Sequence, residues 1–135
     1  MPGMKWTFMS LQILDEVRSG KMTFAEMFPR ARAAGFVAYD ASDMDAEFAD
    51  REEVLRLCRE NGLKIADYIH WIHMATPDDK ALEAAIGSGK RAVHTALAHG
   101  TKMLMIVEQV NRHDLEKLTR QEASRRMGCA LREIV

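Results

Sequence analysis

Long apolar runs are missing from this chain. None reaches the roughly 18 residues that a membrane-crossing helix needs, and Met1-Pro2-Gly3-Met4-Lys5 has no stretch resembling a signal peptide. The expectation is a protein with no leader and no membrane partner. An excess of charge of either sign is also missing: 19 Lys and Arg stand against 20 Asp and Glu, a formal net charge of −1. The basic residues are dispersed, so nothing electrostatic favours a nucleic-acid partner. Cysteine is scarce. Cys58 and Cys129 lie far apart, each in a predicted helix. They read as two buried, reduced thiols, which suits a cytoplasmic protein better than a disulfide-bonded one. Low-complexity tracts and linkers are absent, so residues 1–135 read as one domain or one large fragment of a domain.

What is present is ordinary globular material, 47% apolar and 29% charged, with ten methionines that read as core filler. Four apolar runs predict strands: Trp6 to Leu11, Phe36 to Tyr39 ending at Asp40, Lys64 to about His70, and Lys102 to Val107. A helical pattern follows each. The first helix opens at Thr23, with Glu26 three residues on as a capping box requires, and Gly35 closes it. The second starts at Asp50 and ends at Asn61-Gly62, with Val54, Leu55, Leu57 and Cys58 on its buried face. Thr76 and Pro77 predict the start of the third, which runs to about His99 before Gly100. Gly87 and Gly89 weaken that helix and mark a kink or a close helix contact. Residues 108–118 read as a loop or short helical turn. A second capping box, Thr119 with Glu122, opens a last helix towards Val135, with Met127, Leu131 and Ile134 on one side.

Strand–helix units of this size build parallel sheets, either doubly wound or closed into (β/α)8 barrels. A closed barrel needs eight units and typically about 250 residues. The pattern therefore predicts an α/β fold of four consecutive β-α units, half of a TIM barrel. In such barrels the active-site groups sit at the C-terminal ends of the strands.

The segments Met22-Thr23-Phe24-Ala25-Glu26, Ala31 to Phe36, Glu52 to Ile65, Ala96 to Lys102 and Arg126 to Val135 resemble the sugar phosphate isomerase/epimerase group with the xylose-isomerase-like TIM barrel. At the level of pattern the resemblance covers nearly the whole chain. It implies metal-dependent aldose–ketose isomerisation or ketose epimerisation, with a divalent cation (Mn2+ or Mg2+) stabilising an enediolate. It also implies a small sugar or sugar phosphate as partner. The family's metal ligands lie on strands five to eight. The expectation is therefore that this chain alone binds no metal and is inactive by itself.

Four residues stand out as candidate substrate contacts. Asp40 ends the second strand; the alternative reading is a loop-start Asp bonded to nearby amides. Asp43 and Asp45 follow it and superficially suggest a calcium loop, but the required Gly and distal Glu are not in place. His70 and His73 flank Trp71 at the end of the third strand. Imidazole can donate to or accept from a sugar hydroxyl, and an indole can pack on a sugar's C–H face. The alternative is a pair of partly buried histidines bonded to neighbouring loops. Glu108 follows the fourth strand, on the same end. Trp6 and Phe8 read as core, and His94, His99 and His113 as helix-surface or loop residues. Gly87-Ser88-Gly89-Lys90 lacks the spacing of a phosphate-binding loop. Two other functions compete. One is a non-catalytic half-barrel that forms a homodimer through its exposed strand edges. The other is a relative of the endonuclease-IV branch acting on DNA, which the dispersed basic residues disfavour.

Overall fold

The four apolar runs pair side by side. The computed structural model describes residues 5–135, and in it β1 (Thr7–Met9), β2 (Ala38–Ser42), β3 (Lys64–Ile72) and β4 (Leu104–Glu108) form one sheet. Every neighbouring pair is parallel, and the spatial order is β1-β2-β3-β4. The helices are α1 (Leu14–Arg18), α2 (Met27–Ala33), α3 (Arg51–Glu60), α4 (Asp79–Ala98), α5 (Arg112–Leu115) and α6 (Arg120–Ile134). Short 3-10 turns span Ser10–Ile13 and Asp43–Glu47.

Alternation along the strands divides the sheet into two unlike faces. Phe8, Tyr39 and Tyr68 point to the helices and share one core with Met27 and Phe28 of α2, Val54 and Leu57 of α3, and Ala92 and Ala96 of α4. Tyr39 and Phe28 are fully buried, their rings 5.0 Å apart. A second core joins Ile72 to Ala85 of α4 and to Ala130 and Ile134 of α6. The register sets Thr7, Asp40, Asp67, Trp71 and Met105 on the other face, outside both cores.

One irregularity decides which side chain goes where. Tyr39 is level with Ile65, but Asp40 is level with Asp67, so Ala66 is an extra residue in β3. The bulge reverses the alternation. Tyr68 and Ile72 thereby reach the helical core, and Asp67 arrives beside Asp40. The Thr101 hydroxyl donates to the Ala66 carbonyl at 2.9 Å, satisfying a group at the bulge.

Several boundaries differ from those the sequence predicts. β1 is Thr7–Met9 rather than Trp6 to Leu11, because Ser10 turns inward: its hydroxyl donates to the buried Asp45 at 2.8 Å. Trp6, expected in the core, is 60% exposed, whereas Phe8 is buried. β2 starts at Ala38 and continues through Asp40 to Ser42. β3 continues past His70, and β4 starts at Leu104. The Thr23–Glu26 box forms, but the helix proper begins at Met27. Asp78, not Thr76, caps α4: its carboxylate accepts from the Lys80 and Ala81 amides, while Thr76 receives the Asp78 amide. His99 is buried against the Tyr68 ring. Both cysteines are free, but Cys129 is exposed. Burial pushes the Cys58 thiol up to about 12, so it stays a thiol.

Candidate functional site

Parallel strands bring all their C-terminal ends to one edge of the sheet. Here that edge carries two hydrogen-bonded clusters, and a third group lies lower on the open face.

The first cluster centres on Asp43, just past β2. Its Oδ1 accepts from the Tyr68 hydroxyl at 2.7 Å. Its Oδ2 lies 2.5 Å from Nδ1 of His70 and accepts from the Trp71 amide at 3.1 Å. Burial opposes the Asp43 charge, but the bonds from His70 and Tyr68 outweigh it, and its pKa falls below the ordinary value. Nε2 of His70 in turn lies 3.1 Å from the Ser88 hydroxyl. The order carboxylate, imidazole, hydroxyl has the connectivity of a nucleophilic triad. The surroundings do not serve that chemistry. Ser88 sits in the middle of α4, where backbone amides are spent on helical bonds and cannot hold an oxyanion. Asp43, His70 and Ser88 instead strap the end of β2 to β3 and β3 to α4.

The second cluster joins His73 and Glu108. Oε1 of Glu108 lies 2.9 Å from Nδ1 of His73, and Oδ2 of Asp114 in α5 lies 2.9 Å from Nε2. Glu108 also accepts the Met74 and Ala75 amides. Burial disfavours charge on His73, but hydrogen bonds to Asp114 and Glu108 prevail and raise its pKa. The Asp114 pKa is lowered, chiefly by the same His73 bond.

The third group is the pair Asp40 and Asp67, set level by the bulge. The Thr7 hydroxyl donates to Oδ2 of Asp40 at 2.7 Å. Burial raises the pKa of both carboxyls, and in Asp67 the Asp40 charge adds to it. Trp71 lies further along the same face and lines a cavity of about 350 Å³ with Leu11, Asp43, Met44 and Gln109.

Of the four candidate contacts, the structure brings His73 and Glu108 together, puts His70 in a separate cluster against α4, and leaves Asp40 on the open face. Asp45, weighed for calcium, is buried and holds Tyr39, Ser10 and the Ser42 amide. The sequence reading missed Asp67 and Asp114, and it weighed Ser88 only within Gly87-Ser88-Gly89-Lys90, not as a partner of His70. Asn111, whose side chain accepts the His113 amide, is the one local sign that the segment around Asp114 is ordered. A divalent cation fits poorly. Both nitrogens of His70 and of His73 are engaged, and among the described residues no group of three or more His, Cys, Asp or Glu is arranged to hold a metal ion. Among the same residues no helix is long and apolar enough to cross a membrane. No protein-family model matches the chain, and no curated protein matches it significantly.

Proposed function

We propose that this chain forms the N-terminal half of a TIM-type barrel of the sugar phosphate isomerase/epimerase kind and contributes sugar-holding groups to it. The observation that carries the reading is the strand order. Four parallel strands lie in sequential order with both cores on one face, as in a singly wound barrel. A doubly wound sheet reverses its order at a switch point and takes helices on both faces.

Within this reading the open face becomes the barrel interior. Asp40, one oxygen steadied by Thr7, offers the other to a sugar hydroxyl, and Trp71 offers an indole face to the sugar's C–H surface. His73 and Glu108 shape the rim. Proton transfer beside a carbonyl is the family's chemistry, and the part read for the residues here is binding of the sugar. Ligand-observed saturation-transfer NMR with a panel of ketoses and ketose phosphates tests this. Transfer to ring protons that Asp40→Asn and Trp71→Ala each weaken several-fold supports the reading. No transfer to any sugar overturns it.

A second reading has its own observation. β1 and β4 are the outer strands, and Trp6 just before β1, Met103 just before β4 and Met105 within β4 are exposed by 60%, 64% and 48%. A two-fold axis parallel to the strands would set β4 of each copy beside β1 of the other. Light scattering decides it: a mass near twice the chain's 15.3 kDa supports this homodimer, and a monomer at all concentrations rejects it.

A further inference from the structure

The contact between His73 and Asp114 does more than decorate a rim. α5 has only four residues, Arg112–Leu115, and none of them is buried. Among the described residues, the bond from Asp114 to His73 is the only side-chain hydrogen bond joining residues 110–118 to the rest of the molecule. Between α5 and the start of α6 lies a hollow of about 530 Å³, lined by apolar Ala75, Val110, Leu115, Leu118, Ala123 and Met127 and by polar Glu108, Thr119, Arg120 and Ser124. The short helix thus borders the hollow through Leu115 and is held to the rest of the described residues by one side-chain hydrogen bond.

That contact has a proton requirement. Both acceptors are carboxylates, and neutral imidazole carries a single N–H. Only the doubly protonated ring can donate to both. Glu108 is fixed by the Met74 and Ala75 amides, so a neutral His73 keeps its Nδ1–H on Glu108. It then turns the bare lone pair of Nε2 towards Oδ2 of Asp114. We infer that His73 is a proton-operated latch: the imidazolium holds α5 in place beside the hollow, and the neutral ring releases it and exposes the apolar residues there.

The charged groups around the latch come from β4, α5 and the turn after α5. Glu108 ends β4 on one side, and Asp114 faces the ring from α5. Lys117 lies 3.8 Å from Asp114, and the His113 charge also acts on it. Arg112 lines the neighbouring surface hollow with His73. Lys117 belongs to the same segment as Asp114, so its ion pair does not tie that segment to β3 as the bond to Nε2 does. The raised pKa of His73 fits a closed latch. A folded pKa above the ordinary 6.5 means that the stabilisation is complete below 6.5 and is lost as pH rises through the folded value.

Amide hydrogen exchange of the full chain, expressed as protection factors from acid to mildly alkaline pH, tests the latch. Protection at Asp114, Leu115 and Glu116 should fall about tenfold or more as His73 titrates, the scale of one lost charge-assisted hydrogen bond. Amides of α4 such as Ala92 should hold steady. Asp114→Asn presents an amide that can donate to the neutral ring, so its α5 protection should lose the pH dependence without unfolding the chain. The fluorescent apolar probe 1-anilinonaphthalene-8-sulfonate should bind the wild type more at alkaline pH and Asp114→Asn equally at both. Protection at α5 that ignores the His73 titration, or an Asp114→Asn variant with unchanged pH dependence, overturns the inference.

Discussion

A methyl group added at Gly89 would lie 2.4 Å from Cδ1 of Ile134. Gly89 is buried in α4 and Ile134 in α6, so the two helices approach as closely as a missing side chain permits. Alanine at 89 gains about 1 kcal/mol of helix propensity but must displace Ile134. Overpacking of this kind costs about 1–3 kcal/mol. Gly89→Ala should therefore be neutral to destabilising in urea unfolding. At Gly87 the nearest atom is Nη1 of Arg91 at 3.5 Å, an ordinary contact, and Gly87→Ala should stabilise by up to about 1 kcal/mol. Equal gains at both positions would contradict the close packing.

Asp45 is a structural hub. The Tyr39 hydroxyl at 2.6 Å and the Ser10 hydroxyl at 2.8 Å donate to its Oδ1, and the Ser42 amide at 2.9 Å donates to its Oδ2. Asparagine cannot accept at both positions. Asp45→Asn should leave a buried donor unmatched and cost about 1–3 kcal/mol in thermal or urea unfolding. Unchanged stability would show that the hub contributes little.

If Asp43, His70 and Ser88 form a strap rather than a triad, Ser88→Ala should cost no more than about 1 kcal/mol of stability, and a fluorophosphonate should leave Ser88 unlabelled. Stoichiometric labelling of Ser88, detected by peptide mass, would restore the nucleophilic reading.

The pair Asp40 and Asp67 makes a signed pH prediction. Burial lifts the pKa of Asp67, and the charge of Asp40 lifts it further. A carboxyl with a raised folded pKa destabilises the fold at neutral pH, and the penalty disappears as pH falls through the ordinary carboxylate range. Asp67→Asn should raise the urea midpoint at pH 7, and the gap should close in acid. A constant gap would assign the effect to packing.

The four-unit pattern was legible because apolar runs and caps are local: Asp50 and Thr119 cap α3 and α6 as their sequences predict. The bulge at Ala66 was not legible. It depends on β2, on Thr101 and on the helical core that receives Tyr68, none of which β3 encodes. It also decides the site, since an unbulged β3 would set Ala66 beside Asp40 and turn Asp67 to the helices. His73 and Glu108 were nameable from their place after strands. Asp114, 41 residues from His73, became visible only when the chain folded back. Ser10 ended β1 early for a similar reason, because its partner Asp45 lies 35 residues away.

As proposed above, the open face of this sheet, at its strands' C-terminal half, would receive a sugar. Backbone amide shifts followed during titration with the best ketose of the panel test it directly. The account predicts shifts gathered at Asp40, Asp67, Trp71 and Met105, with the helical core around Val54 and Ala92 undisturbed. Shifts confined to the helical face, or none at saturating sugar, would contradict it.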